Sequence, residues 1–186
     1  PKEVKIIHLE QNQKKIHGFG PGSIRNFGTD VASGKYLAFL DDDDIWLKDK
    51  LKIQIDLLEK SKYKMSSTEG FFGNGVYNNK LKYKKYLQQN YKKDLKKIYK
   101  NTEYLKNRNF PEIWNFDFIN VHNCFVTSSV IVDRKLFNKA GKFKNLPRNA
   151  DYDCWLSLLK FTNSIFVNKT LFYYDGNHGE GRNYFK

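Results

Sequence analysis

Cysteine is nearly absent from this sequence, and so are long apolar runs. The two cysteines, Cys124 and Cys154, are too few for a disulfide framework. We expect buried thiols in a reducing, cytoplasmic compartment, with a disulfide between them as the alternative. No apolar run approaches the length that spans a bilayer. These shortages argue against a disulfide-stapled secreted protein and against a chain that crosses a membrane.

Acidic residues are also scarce, since 20 of them stand against 33 lysines and arginines, for a net charge of +13. Such a balance indicates an anionic partner, which could be nucleic acid, a phosphorylated substrate or an acidic membrane surface. The excess is concentrated in residues 80–108, where eleven basic residues and five tyrosines stand against two acids. We predict a basic helical insertion there, either a solvated helix face or a contact for an anionic membrane surface. Nucleic acid is the weaker expectation, because no nucleic-acid motif accompanies the charge.

The chain does contain enough apolar material for a core. Apolar residues make up 40% and aromatic residues 16% of its 186 positions, which indicates one folded domain rather than a disordered chain. Short apolar runs alternate with stretches of helical spacing, which is typical of an α/β protein. The predicted strands cover residues 4–9, 36–40, part of 64–77, 124–133 and 165–174.

Four consecutive aspartates, Asp41 to Asp44, follow the strand predicted at residues 36–40. Open α/β sheets bind ligands at the carboxyl ends of their strands, so an acidic run here can meet a substrate. On an extended chain Asp41 and Asp43 point the same way while Asp42 faces elsewhere. Crowded carboxylates favour a cation, and hard oxygen ligands suit Mg²⁺ or Mn²⁺. Because Mg²⁺ takes one or two carboxylates and fills its shell with water and phosphates, the pair predicts a phosphorylated ligand.

A plainer interpretation of the same run is a solvated turn with one helix cap. Asp44 is predicted to be that cap, for a helix that runs to about Lys60. Trp46 is expected to anchor the core rather than to stack on a ligand. We expect the apolar stripe of this helix to be buried, and its members are Leu47, Leu51, Ile55 and Leu58.

Two further predicted helices carry candidate site residues at their amino ends. Arg25 and Asn26 begin a helix whose apolar positions are Ile24, Phe27 and Val31. The dipole and the free N–H groups of a helix amino end favour an anion, although Arg25 can equally be an exposed helix charge. Asp151 and Asp153 begin the helix that contains Trp155, and one of them can serve as its cap.

Three blocks of the sequence resemble the family 2 glycosyltransferases with the GT-A fold. The first, SIRNFGTDVASGKYLAFLDDDDIWLKDKLKIQ, is similar to that family's Arg-Asn helix, glycine, strand, DxD motif and tryptophan. SSVIVDRKLFNKAGKF and ADYDCWLSL follow in the family's order. The resemblance implies an α/β, Rossmann-like GT-A fold with a mostly parallel sheet flanked by helices, in a single domain over residues 1–186. It is weakest over residues 70–111.

The resemblance also implies roles by position. Asp151 matches the catalytic base, and Asp43 with His178 would hold Mg²⁺ or Mn²⁺. A nucleotide-sugar donor, UDP-, GDP- or dTDP-linked, would be contacted by Arg25, Asp41, Asp42 and Arg182. The second substrate would be a hydroxyl acceptor on a glycan, a lipid-linked sugar or a protein.

Several departures from the family pattern keep two functions open. Ala150 and Ser157 stand where the family usually has glutamate and arginine. The family's opening βαβ unit, which grips the nucleotide base, is missing before Pro1, so we expect a chain that is truncated or impaired. The resemblance implies an inverting, metal-dependent glycosyltransferase. The rival is a catalytically silent relative that binds glycans or a partner protein.

Overall fold

Strands and helices alternate along the structure, a computed structural model that describes residues 4–12, 15–16, 22–106 and 109–177. The helices are α1 (Gly22–Val31), α2 (Lys50–Glu59), α3 (Lys92–Ile98), α4 (Phe116–Val121), α5 (Arg134–Lys139) and α6 (Ala150–Leu159). The strands are β1 (Tyr36–Ala38), β2 (Ile45–Trp46), β3 (Met65–Gly73), β4 (Lys84–Lys85), β5 (Ile113–Trp114), β6 (Ile131–Asp133) and β7 (Ser164–Asp175). A π-helix covers Tyr86–Asn90 and a 3₁₀ helix covers Thr127–Ser129.

The strands form one mixed sheet in the order β1-β6-β3-β7-β2, with β4 beside β3 and β5 beside β7. The longest pair, β3 with β7, is parallel, and the other pairs are antiparallel. The predicted α/β class is therefore confirmed, but the expectation of a mostly parallel sheet is wrong for the described strands, which form one parallel pair. The strand expected at residues 36–40 forms over Tyr36–Ala38 and pairs antiparallel with β6, because an apolar run indicates burial but not the direction of the neighbouring strand.

A glycine on β3 makes room for a large aromatic ring on the neighbouring strand β7. Gly70 on β3 lies opposite Phe172 on β7. A Cβ atom at position 70 would overlap the Phe172 ring. The ring therefore lies across the bare backbone of β3, in the manner of a strand glycine that permits a close approach.

The core joins the end of β1 to the carboxyl-terminal part of the chain. Phe39, just past β1, contacts Trp155 of α6 with ring centroids 5.9 Å apart. Trp114 of β5 stacks on Phe166 of β7 at 4.4 Å, and both rings are buried. The expected helix around Trp155 and the expected strand near residues 165–174 are both present as α6 and β7. These contacts hold α6 and the end of β1 on a common core.

The amino-terminal strand predicted over residues 4–9 is wrong. These residues are not in a strand, and the Val4 and Ile6 side chains are 64% and 76% exposed. A strand needs a hydrogen-bonded neighbour, and the described sheet provides none for this segment. Helix α1 forms where predicted, but its buried residues are Gly22 and Thr29. The apolar positions expected to face the core, namely Ile24, Phe27 and Val31, are exposed.

Helix α2 buries a different face from the predicted one. Its buried residues are Lys50, Gln54 and Leu58, at four-residue spacing, whereas Leu51 is exposed. Gln54 Nε2 donates to Ser66 Oγ on β3 at 3.0 Å and to the Ser129 carbonyl at 3.0 Å. The predicted stripe is therefore correct at Leu58 and wrong at Leu51, because these hydrogen bonds make Gln54 the partner for the sheet in the middle of the helix.

The basic segment at residues 80–108 is helical only in part. It contains β4, the π-helix and α3, while residues 107–108 lie outside the described residues. The π-helix is anchored by Glu69 of β3, whose buried carboxylate accepts from the backbone N–H groups of Leu87 at 3.0 Å and Gln88 at 3.1 Å. The π-helix is thus held by a carboxylate on strand β3 rather than by its own local sequence.

Both cysteines are unoxidised and buried, as expected. Burial raises the pKa of the Cys124 thiol to about 12, so the thiolate is disfavoured at neutral pH. In the described part of the chain no helix is long and apolar enough to span a membrane.

Candidate active site

The four aspartates form a β-turn rather than an extended run. The backbone N–H of Asp44 donates to the Asp41 carbonyl at 3.2 Å, and we call residues 41–44 the acidic turn. Ser128 holds this turn on both sides. Its Oγ accepts from the Asp41 N–H at 3.0 Å, and its carbonyl accepts from Trp46 Nε1 at 2.8 Å. Ser128 was missed by sequence reasoning, because nothing local marks a serine that lies 87 residues away from its partner.

The prediction that Asp44 caps the following helix is wrong. Residues 45–46 form β2, and α2 begins only at Lys50, after Asp49 at its N-cap. Asp44 is buried, and its Oδ1 accepts from the Asp175 N–H at the end of β7 at 3.1 Å. Burial raises the pKa of Asp44 to about 6, while the Ser128 hydroxyl and the Asp175 N–H lower it. Asp44 therefore joins the acidic turn to the carboxyl end of the central strands.

Asp41 is paired with the candidate nucleotide residue Arg25. The Arg25 guanidinium and the Asp41 carboxylate form an ion pair. The guanidinium also lies 5.7 Å from the centroid of the Phe143 ring. Its neighbour Asn26 donates from Nδ2 to the Phe143 carbonyl at 2.8 Å and accepts from the Phe143 N–H at 3.2 Å. Helix α1 is thus fixed between the acidic turn and the loop that precedes α6.

Asp151 lies in the first turn of α6 and is half-buried. The start of α1 packs against the start of α6, since a Cβ atom on Gly22 would lie 3.3 Å from the Ala150 Cβ. Burial raises the pKa of the Cys154 thiol, the Asp153 and Asp151 carboxylates raise it further, and the Arg25 guanidinium lowers it. Asp151 follows Ala150 directly and Arg25 lies in the first turn of α1, so the packing of these two helix starts brings the two side chains to the same region of the fold.

Neither aspartate of α6 is its side-chain cap. The N-cap residue is Asn149, and no side-chain capping bond forms there. Asp153 is ion-paired with Lys144, with Nζ 2.9 Å from Oδ1. No hydrogen bond or ion pair from the described residues reaches the Asp151 carboxylate. Of the two, Asp151 is the carboxylate that can accept a proton from a ligand.

The acidic turn has the donors that a hard divalent cation prefers. Asp42 is exposed and Asp43 is half-buried. Asp44 Oδ2 is buried without a hydrogen-bond partner among the described residues. Mg²⁺ and Mn²⁺ take one or two carboxylates together with water and phosphate oxygens, so the chemistry of these side chains suits such an ion. Residues 4–12, 15–16, 22–106 and 109–177 contain no group of three or more metal-type side chains placed to hold an ion. The other candidates, His178 and Arg182, lie outside the described residues.

Comparison with known proteins shows which family the chain belongs to. A model of the family described as Glycosyl transferase family 2 matches residues 1–141. A relative from Escherichia coli, UDP-Glc:alpha-D-GlcNAc-diphosphoundecaprenol beta-1,3-glucosyltransferase WfgD, is 27% identical over 88% of this chain and 55% of its own length. An uncharacterized glycosyltransferase from Haemophilus influenzae is 26% identical over 93% of this chain and 72% of its own length.

Solved structures show the same fold. The crystal structure of S. aureus TarS 1-349 matches with a TM-score of 0.54 and 18% identity, over 90% of this chain and 42% of that one. The structure of the same protein in complex with UDP matches with a TM-score of 0.53. These likenesses establish a GT-A glycosyltransferase fold. The chain spans about half the length of WfgD and less than half of that TarS chain.

Proposed function

Because the chain belongs to glycosyl transferase family 2, we propose that it transfers a sugar from a nucleotide-diphosphate donor to a hydroxyl acceptor. The observation that carries this proposal is the convergence of three elements on one site. The acidic turn follows β1, Arg25 of α1 pairs with its first carboxylate, and the start of α1 packs against the start of α6, which carries Asp151.

In the proposed reaction Asp151 is the base. Its carboxylate takes the proton of the acceptor hydroxyl, and the acceptor oxygen forms a bond to the anomeric carbon. The bond from that carbon to the phosphate oxygen breaks, and the electron pair leaves on the nucleoside diphosphate. A single displacement of this kind inverts the configuration at the anomeric carbon.

Charge on the departing diphosphate has to be stabilised by the site. Arg25 supplies a cationic group, and with Asp41, Asp42 and Arg182 it is assigned to binding of the nucleotide. Asp43 and His178 would hold Mg²⁺ or Mn²⁺, which when bound supplies positive charge to the leaving phosphates. Arg25 is already paired with Asp41. The donor diphosphate therefore either displaces Asp41 from Arg25 or binds Arg25 beside it.

Calorimetry with UDP and with GDP, each with and without Mn²⁺, tests the proposal. We expect one nucleotide to bind with an affinity that Mn²⁺ strengthens, and we expect UDP release from UDP-glucose when that donor is accepted. Asp43→Asn should remove the effect of Mn²⁺. Asp30→Asn is a matched control, since Asp30 is a half-exposed carboxylate on α1 that is paired with Lys142. Absence of metal-linked nucleotide binding would favour the rival function, a catalytically silent glycan-binding module, which the departure at Ala150 motivates.

The basic segment adds a proposed partner, an anionic membrane surface. Lys93, Lys96 and Lys97 of α3 are exposed. Leu81 and Ile98 are apolar side chains that are 59% and 40% exposed among the lysines. Basic residues mixed with exposed apolar ones are typical of a surface that lies on anionic lipid. The relative WfgD has a diphosphoundecaprenol-linked sugar in its name, and an acceptor of that class would lie at such a surface.

Vesicle flotation decides whether this surface binds lipid. We expect the protein to float with vesicles of phosphatidylcholine and phosphatidylglycerol and to remain below vesicles of phosphatidylcholine alone. Replacing Lys93, Lys96 and Lys97 by glutamine should reduce flotation, whereas the same change at Lys48, Lys52 and Lys60 near α2 should not. Equal flotation of the two triple variants would contradict the proposed surface.

A further inference from the structure

Two clusters of aromatic rings lie on opposite faces of the sheet at the carboxyl ends of β3 and β7. We call the first the tyrosine wall, made of Phe72, Tyr86, Tyr91 and Tyr174. Its ring centroids are 6.0 Å apart for Phe72 and Tyr174, 5.1 Å for Tyr86 and Tyr174, and 4.9 Å for Tyr86 and Tyr91. The four rings are therefore in contact from one end of the cluster to the other, and each of them is partly exposed.

The tyrosine wall begins at the acidic turn and ends in solvent. Burial raises the pKa of Tyr174 to about 12, and the carboxylates of Asp44, Asp43 and Asp41 are among the groups that raise it. Asp175, the residue after Tyr174 on β7, donates its N–H to Asp44 Oδ1 at 3.1 Å, so Tyr174 adjoins the residue that contacts the acidic turn. At the other end of the wall Tyr91 is 37% exposed. A ligand lying along the wall would have one end at the candidate active site.

The opposite cluster is different, although it uses the same strands. It consists of Tyr77, Tyr83 and Tyr173, with the Tyr83 and Tyr173 centroids 4.9 Å apart. Its hydroxyl groups serve the neighbouring loop. Tyr173 donates to the Gly75 carbonyl at 2.7 Å, and Tyr83 accepts from the Asn78 N–H at 2.9 Å. This second cluster closes a loop onto the sheet and gives the first one a matched control.

We propose that the tyrosine wall is the acceptor subsite and that it binds a pyranose ring by stacking. This inference rests on the proposed glycosyl transfer. A pyranose presents C–H groups on its apolar face, and these fit the electron-rich face of an aromatic ring. Its hydroxyl groups suit the phenols and the nearby carboxylates, since ligand sites combine aromatic walls with a few placed polar groups. The ligand class is therefore a hexopyranose, held by Tyr91 and Phe72 and directed towards the acidic turn.

Saturation-transfer NMR with simple sugars tests the wall. The probes are methyl β-D-glucopyranoside and N-acetylglucosamine, with mannitol as an acyclic control that carries hydroxyl groups but no ring face. We expect the pyranosides to bind and mannitol not to bind. Tyr91→Ala should weaken binding by about fivefold, since a stacked aromatic contact is worth about 1 kcal/mol. Tyr91→Phe should keep binding within about twofold, and so should Tyr77→Ala in the opposite cluster.

Several results would overturn the inference. Binding of mannitol as tight as that of the pyranosides would show that no ring face is recognised. Equal weakening by Tyr91→Ala and Tyr77→Ala would show a general loss of structure. Should Tyr91→Ala fail to fold, Tyr91→Leu keeps the apolar bulk without a ring, and affinity equal to that of Tyr91→Phe would exclude stacking. UDP calorimetry on the same samples distinguishes the two proposals. UDP binding without sugar binding would refute the acceptor subsite on the tyrosine wall alone. Sugar binding without UDP binding would refute the proposed glycosyl transfer.

Discussion

The Arg25 guanidinium is ion-paired with the Asp41 carboxylate, although the two residues belong to different elements of the chain. Their side chains are only 16% and 32% exposed, so the pair lies partly out of water. One cation is thus committed to the first of four consecutive carboxylates. The pair ties the position of helix α1 to the geometry of the acidic turn.

The Arg25–Asp41 pair is predicted to be stronger than a surface ion pair. In a double-mutant cycle with Arg25→Met and Asp41→Asn, measured by urea unfolding, we expect a coupling energy of about 1 kcal/mol or more. The control pair is Lys35 with Glu59, whose side chains are 58% and 46% exposed. Its coupling should stay below about 0.5 kcal/mol because solvent screens exposed charges. Equal coupling energies for the two pairs would show that partial burial does not strengthen the Arg25–Asp41 pair.

Asp151→Asn is predicted to abolish turnover while preserving nucleotide binding. Loss of a general base typically costs on the order of 10² to 10⁴ in rate, and the measurement is the initial rate of UDP release from UDP-glucose with an added pyranoside. Asp153→Asn is the matched control, because Asp153 lies in the same helical turn but is paired with Lys144. Full activity of Asp151→Asn would remove Asp151 from the mechanism.

Lys50 is predicted to make the protein more stable as the pH rises above neutrality. The side chain is 1% exposed, and burial lowers its pKa from an ordinary 10.5 to about 7. Between these values the unfolded chain holds a proton that the folded chain has released, so the free energy of unfolding increases with pH. We expect the contribution of Lys50, measured as the difference in the free energy of unfolding between the unmodified protein and Lys50→Met, to rise by about 1 kcal/mol per pH unit between pH 7.5 and 9. The difference is used because Cys124 and Cys154, whose pKa values burial raises, lower the stability of both proteins at the upper end of this range.

Lys50→Met isolates this effect. The variant has no ammonium to deprotonate, so its free energy of unfolding should lack the rise that Lys50 contributes over the same range. Lys50 Nζ also lies 4.7 Å from the centroid of the Trp46 ring, and the variant loses the packing of this nitrogen on the ring. A difference in the free energy of unfolding that is the same at every pH, in addition to the predicted rise, is therefore compatible with the prediction. A slope equal to that of the unmodified protein is not.

Glu69→Gln is predicted to loosen the π-helix. The carboxylate accepts from the N–H groups of Gly70, Leu87 and Gln88 at 2.9 to 3.1 Å, and an amide has only one oxygen to replace it. We expect a loss of about 1–3 kcal/mol in the free energy of unfolding and faster hydrogen exchange at Leu87 and Gln88. Glu103→Gln, at a side chain that is 88% exposed, should change neither measurement.

Sequence reasoning located most of the elements but assigned several faces wrongly. Helices α1 and α6 and strands β3 and β7 form where apolar spacing predicted them, because a periodic pattern is a local signal. The wrong assignments all depend on distant partners. Asp44 looks like a helix cap in its own segment, yet its hydrogen bond goes to Asp175, 131 residues away. Lys50 and Gln54 look solvated, yet the sheet beneath α2 offers hydrogen bonds to Gln54.

In the candidate site, too, the residues of local motifs could be predicted from the sequence, whereas contacts between distant segments could not. Asp41, Asp43 and Asp151 could be named from their positions in motifs, since each belongs to a short block of sequence. Ser128, which holds the acidic turn, could not be named, and neither could the Arg25–Asp41 pair. Both depend on how separate elements meet in the fold.

The overlap between position 70 and the Phe172 ring constrains how this fold can diverge. Any side chain larger than hydrogen at position 70 requires the ring to vacate its place on β7. The two positions should therefore change together, so that homologues with alanine or serine at the first carry a small residue at the second. A single substitution at either position alone would open a void or create a collision, which makes the paired change the accessible evolutionary route.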